Sequence, residues 1–189
     1  MVKLGIICEG ESEGVIFKSE NFISLLNSIG IELIDVQETG AKNQFYGERL
    51  NAHRQILIDK GATQVIALLD LDKDQCITVT KEKVLDFPNQ SIVVAVKEFE
   101  NWYLADTNAL SSFLGRYIEE VNFPEMYVEA IDEMINLKGF TFPKSKPKLA
   151  KKMINSGFSI QNAASHPNCP SANYFLTKLK QCASTNPVE

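Results

Sequence analysis

From Thr63 to Asp72 the chain reads TQVIALLDLD, its most hydrophobic strand-like stretch, apolar at consecutive positions. A strand patterned without alternation needs cover on both faces, which is the condition of an inner strand of a parallel sheet. KLGIIC (3–8), IELIDV (31–36) and SIVVAVKEF (91–99) read as further strands. Between them lie helical patterns. Val15, Phe22, Leu26 and Ile29 recur at helical spacing after a glycine-containing turn, YGERLNAHRQILIDKG (46–61) forms a helix closed by Gly61, and a short helix falls near 80–86. Strands separated by helices give an α/β fold, a mostly parallel four-stranded sheet with helices on both faces. Beyond residue 100 the strand signals stop. ENWYLADTNALSSFLG, PEMYVEAIDEMINL, SKPKLAKKMINSG and SANYFLTKLKQC all carry helical periodicity. The expected organisation is an α/β core over residues 1–115 and a helical extension over 116–189 packed on it as one unit, with the tail ASTNPVE frayed.

Charge and cysteine usage narrow the function. With 189 residues and 44% hydrophobic content the chain can bury one sizeable core. Its net charge is -5, so contact with a polyanion requires a local patch. Cys8, Cys76, Cys169 and Cys182 contain no CxxC pair, and His53 and His166 are far apart, which disfavours a zinc site and a disulfide framework. The N-terminal apolar run is too short for a signal peptide and no stretch has the length of a membrane span. A soluble, cytoplasmic protein with reduced thiols and no membrane partner is expected.

The acids collect at the carboxyl ends of the expected strands, where parallel sheets place functional groups: Glu9 after the first, Asp70 and Asp72 after the third, Glu98 and Glu100 after the fourth. In an extended chain Asp70 and Asp72 point the same way, and a turn through Gly10 returns Glu13 over Glu9. Anions so close together destabilise unless protonated or bridged by a cation, and hard divalent ions such as Mg²⁺ or Mn²⁺ suit an all-oxygen set. Plainer readings stand beside this one. Glu11 and Glu13 suit a helix N-terminus for the dipole alone, worth roughly 0.3 to 1 kcal/mol each. An isolated DxD such as Asp70 and Asp72 reads as a strand-ending turn, though the position after VIALL in register with Glu9 favours function; Glu98 reads also as a solvated charge, and Trp102, Tyr103 and Leu104 as core. DLDKDQCITVTKE places Asp70, Asp72 and Asp74 like an EF-hand loop, but Gln75 and Lys81 occupy the positions of its glycine and glutamate. GESEGVIFK lacks the spacing of a phosphate-binding P-loop.

CEGESE, LLDLDKD and VKEFENWYLAD, in this order, together resemble the Toprim fold, and more narrowly the small stand-alone Toprim-like bacterial proteins related to the nuclease domain of the OLD (overcoming lysogenization defect) proteins. HPNCPSANYFLTKL resembles the same family, so the likeness spans nearly the whole chain. It implies a Rossmann-like sheet with a helical C-terminal part. Glu9, Gly10, Ser12 and Glu13 match its Glu-Gly-x-(Ser or Thr)-Glu element, which would make Glu9 and Glu13 metal ligands and Glu9 an acid or base. Asp70 and Asp72 match its DxD as Mg²⁺ ligands. Phe99, Glu100 and Trp102 match Phe-Glu-x-Trp, pointing to Glu100 more than Glu98. The family's active-site lysine is left open among Lys144, Lys146 and Lys148. The resemblance further implies a role in defence against phage or plasmids, a partner ATPase of the ABC/AAA type and a homodimer.

From Lys138 to Lys152 there are six lysines and no acid. Lys146, Lys148, Lys151 and Lys152 form the candidate nucleic-acid contact, the alternative being a solvated helix face. The expected function is a Mg²⁺- or Mn²⁺-dependent phosphodiester hydrolase acting on nucleic acid, DNA foremost, with Glu9, Asp70, Asp72 and Lys144 or Lys146 catalytic. The alternative is a non-cleaving Toprim-fold subunit that binds nucleic acid or nucleotide. A calcium-responsive interaction protein is disfavoured by the EF-hand mismatches.

Overall fold

The computed structural model describes residues 1–138 and 145–184. Its centre is an all-parallel sheet of β1 (Val2–Cys8), β2 (Ile31–Glu38), β3 (Gln64–Asp70) and β4 (Gln90–Ala95) in the order β2-β1-β3-β4. The crossovers dictate the layers. β1 reaches β2 through α1 (Glu11–Phe17) and α2 (Glu20–Ser28), while β2 returns over β1 to β3 through α3 (Glu48–Asp59) and β3 reaches β4 through α4 (Ile77–Glu82). Right-handed connections running in opposite directions place their helices on opposite faces. Accordingly Leu4, Ile6, Ile66 and Leu68 pack with Ile16, Phe17 and Phe22 on one face, and Ile7, Val65, Ala67 and Leu69 pack with Leu50 and Leu57 on the other. Gly5 is what lets α3 lie so close, because a Cβ there would stand 2.8 Å from Leu57 Cδ1.

This order has a further consequence. β1 leaves toward one edge and β3 toward the other, so a crevice opens between their carboxyl ends, the place where open α/β sheets take ligands.

The first face is completed by α5 (Asn101–Ala105), α6 (Thr107–Leu114), α7 (Ala130–Lys138), α8 (Lys146–Asn155), α9 (Ile160–Ser165) and α10 (Pro170–Ser184). They belong to the same core as the sheet. Phe175 of α10 stacks on Phe17 at 5.5 Å, and Trp102, fully buried as expected, lies 4.7 Å from Phe99 and donates its indole N–H to Ser171 Oγ at 2.8 Å. Among the described residues no helix is long and apolar enough to cross a membrane.

Local chemistry moves several expected boundaries. The helical pattern through Val15 and Ile29 is broken at Ser19, whose hydroxyl accepts from Phe22 N–H and donates to Ile16 C=O, starting a new helix. Asp106 splits the segment after residue 100 in the same way, capping α6 through Ala109 N–H. The fourth strand stops at Ala95 instead of running to Phe99, because Lys97 takes a left-handed φ of 63° and turns the chain. α9, capped by Ser159, has no counterpart in the expected elements.

Candidate functional site

β1 ends at Cys8, and Gly10 opens α1 in an extended conformation. The first helical turn therefore folds back toward the strand end. A Cβ on Gly10 would lie 3.1 Å from Glu13 Oε2, and Ser12 Oγ donates to that same oxygen at 2.6 Å. Glu13 is buried, as is Asp70 at the tip of β3, whose Oδ1 accepts Phe99 N–H at 2.8 Å. The turn at Lys97 then delivers Glu98 and Glu100 to the same region. Lys146 Nζ sits 2.9 Å from Glu98 Oε2 and 2.9 Å from Glu100 Oε2, while Glu98 Oε1 caps α7 through Ala130 N–H.

Electrostatics place these groups in one neighbourhood. Burial raises the Asp70 carboxyl well above the carboxylate range, Glu13, Glu100 and Glu9 raise it further, and Lys146 opposes them. Burial also raises Glu9, followed by the charges of Asp72 and Glu13, against Lys42 and a hydrogen bond from the Asp70 backbone. Glu100, 1% exposed, is pushed up to about 7 by burial, with Lys146 the main opposing influence. Glu9, Glu13, Asp70, Glu100 and Lys146 thus converge at the crevice between β1 and β3.

Three polar atoms in this region are buried without a hydrogen-bond partner among the described residues: Glu9 Oε2, Glu100 Oε1 and Tyr103 Oη. Tyr103 stands three residues after Glu100 on α5, and its phenol is raised by burial and then by Glu100, Glu13 and Asp70. Read from sequence as core alone, it also presents a hydroxyl to the acids. The signal available was its i+3 spacing from Glu100.

Asp72 departs from expectation. Its φ of 51° ends the extended conformation, so Asp70 and Asp72 do not point the same way. Asp70 turns into the protein, while Asp72 lies on the outer rim, 3.3 Å from the ammonium of Lys42. Lys42, unforeseen in the sequence, is held there by Leu71 C=O at 2.8 Å and by Asp74 at 3.0 Å.

The lysine segment divides in two. Lys144 lies outside the described residues. Lys146 precedes Leu149, Ala150 and Met153 by three, four and seven residues, so it shares the buried face of α8 and points inward. Named both as a catalytic candidate and as part of the nucleic-acid contact, Lys146 stands against Glu98 and Glu100 and apart from the exposed lysines. Lys148, Lys151 and Lys152 occupy the opposite, exposed face as one stripe.

No protein-family model, no curated protein and no solved structure matches this chain. The reading of the site rests on its own chemistry. Among the described residues no three His, Cys, Asp or Glu side chains stand arranged as a ready-made metal cage. The donor set is nevertheless all oxygen, and the unpartnered Glu9 Oε2 and Glu100 Oε1 fit a hard divalent ion, whose other ligands are commonly water. The cysteines offer nothing comparable: all four are unbridged, Cys169 donates to Glu125, and His166 faces Glu120.

Proposed function

We propose that the chain is a Mg²⁺- or Mn²⁺-dependent phosphodiester hydrolase acting on nucleic acid, DNA foremost. The observation that carries this reading is the convergence of Glu9, Glu13, Asp70 and Glu100 on one crevice with two carboxylate oxygens left unpartnered. Glu9, Glu13 and Asp70 would hold the ion, with Glu100 behind them and Asp72 at the rim. When bound, the ion would supply Lewis-acid activation of a phosphoryl oxygen and a more acidic water. Glu9, whose carboxyl is raised by burial and by Asp72 and Glu13, would accept a proton from a water in the crevice. Lys146, fixed between Glu98 and Glu100, offsets negative charge developing on the phosphoryl oxygens. Phe99 N–H holds Asp70 in orientation. The likeness to Toprim and OLD-type nuclease domains supports the same assignment, and with it a cytoplasmic role in defence against foreign DNA, beside a partner ATPase and as a homodimer.

One observation favours a second reading. Lys146 already neutralises part of the cluster, so the site is stable as an internal ion pair and would serve a subunit that binds nucleic acid without cutting it. Plasmid nicking in Mg²⁺, Mn²⁺ and chelator separates the two. Metal-dependent nicking that disappears in Asp70→Asn and Glu9→Gln supports the hydrolase, whereas DNA binding without nicking in any metal supports the subunit.

A further inference from the structure

Beside the carboxylates, on the β3 and β4 side of the crevice, lies a cavity of about 480 Å³ whose walls include Lys42, Asp72, Lys73, Asp74, Lys97 and Glu98. Most of these charges cancel. Lys42 pairs with Asp72 and Asp74, Asp74 also pairs with Lys83 at 2.6 Å, and Glu98 is engaged by Lys146 and by Ala130 N–H. Lys73 and Lys97 have no ion pair among the described residues, and Glu129 is the one carboxylate of the wall left to face them.

The backbone singles out Lys97. Besides Asn89, whose residue type tolerates a left-handed φ, the non-glycine residues with positive φ among the described residues are Asp72 and Lys97, at 51° and 63°. Both line the cavity, and Asp72 N–H donates to Lys97 C=O at 2.8 Å. A side chain with a Cβ is disfavoured there by about 1 kcal/mol or more, and such positions gather where function needs them. Glycine would sit there without strain. The chain instead holds a long cation in the wall of a ligand-sized cavity, next to Glu98.

We propose that this cavity seats an anionic phosphoryl group, held by the ammonium groups of Lys97 and Lys73, adjacent to the carboxylate crevice. Two sources carry that chemistry, an internucleotide phosphate of a nucleic-acid strand and the phosphate of a free nucleotide. The volume lies within the range of small-molecule pockets, roughly 300 to 1,000 Å³. The seat deepens the hydrolase reading and rests on it only for what happens to the phosphoryl group once bound.

The test is calorimetric titration of the full chain in Mg²⁺ with thymidine 5′-monophosphate and with an eight-nucleotide oligothymidylate, for the wild type, Lys97→Met and Lys97→Gly. Lys97→Met removes the charge and keeps the strained backbone. Lys97→Gly removes the charge and relieves it, so the pair separates loss of the ligand contact from loss of fold. Both variants are expected to bind about tenfold or more weakly, as for removal of a charge-assisted contact, with Lys97→Gly melting no lower than the wild type. Preference for the oligonucleotide identifies a strand phosphate as the occupant, and equal or better binding of the mononucleotide identifies a free nucleotide. Wild-type affinity in both variants overturns the seat, as does a wild type that binds neither ligand. Binding without any nicking leaves the seat standing and removes the hydrolase reading, whereas nicking with undiminished binding by both variants does the reverse.

Discussion

Replacing Lys146 by Met should destabilise the protein in a way that grows with pH. Glu100 is almost fully buried, and its carboxyl is raised from 4.5 to about 7. Between those values the unfolded chain has released the proton that the native state retains, so stability falls as pH rises through the window and levels off above it. At about 1.4 kcal/mol per unit, the full cost of this group in the wild type is roughly 3.4 kcal/mol. Lys146 is the main influence holding the carboxyl that low. Without the ammonium the folded value moves higher still, and the plateau is postponed. Near pH 6 the carboxyl is mostly protonated in both proteins, and this group contributes almost no difference. At about pH 8.5 the wild type has levelled off while the variant is still losing stability, and the gap reaches up to ~2 kcal/mol. Because the Lys146 side chain is 43% exposed, solvent replaces part of its effect and this figure is an upper bound. Urea unfolding followed by circular dichroism at several pH values measures it, the largest shift being about 1 M on a slope of roughly 2 kcal/mol/M. A midpoint shift of the same size at pH 6 and pH 8.5 would refute the reasoning, since it would reflect lost packing instead of a lost counter-ion.

Three further outcomes are expected. Asp70→Asn keeps an acceptor for Phe99 N–H while removing a carboxyl whose charged form burial disfavours, so it should leave the melting temperature equal or higher and abolish metal-dependent nicking. Millimolar Mg²⁺ or Mn²⁺ should stabilise the wild type by mass action, by about 2.7 kcal/mol at a hundredfold excess over Kd, read as a higher melting temperature, and the gain should shrink in Glu9→Gln. Gly5→Ala drives a Cβ to 2.8 Å from Leu57 Cδ1, and thermal unfolding should show a loss of about 1 to 3 kcal/mol, as for overpacking.

The parallel sheet was legible because inner strands must be apolar on both faces, and VIALL leaves no other comfortable environment. The gathering of acids at the strand ends followed from that topology. What the sequence hid were conformations decided by distant contacts. The left-handed turns at Asp72 and Lys97 stabilise each other across two strands separated by a helix, so local propensity argued for continued extension at both. Charge counting grouped Lys146 with Lys148, Lys151 and Lys152, although its spacing from Leu149, Ala150 and Met153 already assigned it to the opposite face of the helix. Tyr103 was hidden for another reason. Its ring satisfies every expectation of a core residue, and the unpartnered hydroxyl emerges only once Glu100, Glu13 and Asp70 surround it.

Lys146 enters the crevice from α8, which follows the last strand by some fifty residues of chain. On a ribosome the acids of the sheet edge emerge first, and their internal cation follows only after a few seconds at roughly 5 to 20 residues per second. Until then the emerging sheet must keep these carboxyls protonated or borrow a cation from solution. Docking of α8 against α1 ends that interval by bringing Lys146 to Glu98 and Glu100. A chain stalled before α8 would present strand ends rich in negative charge and lacking their lysine.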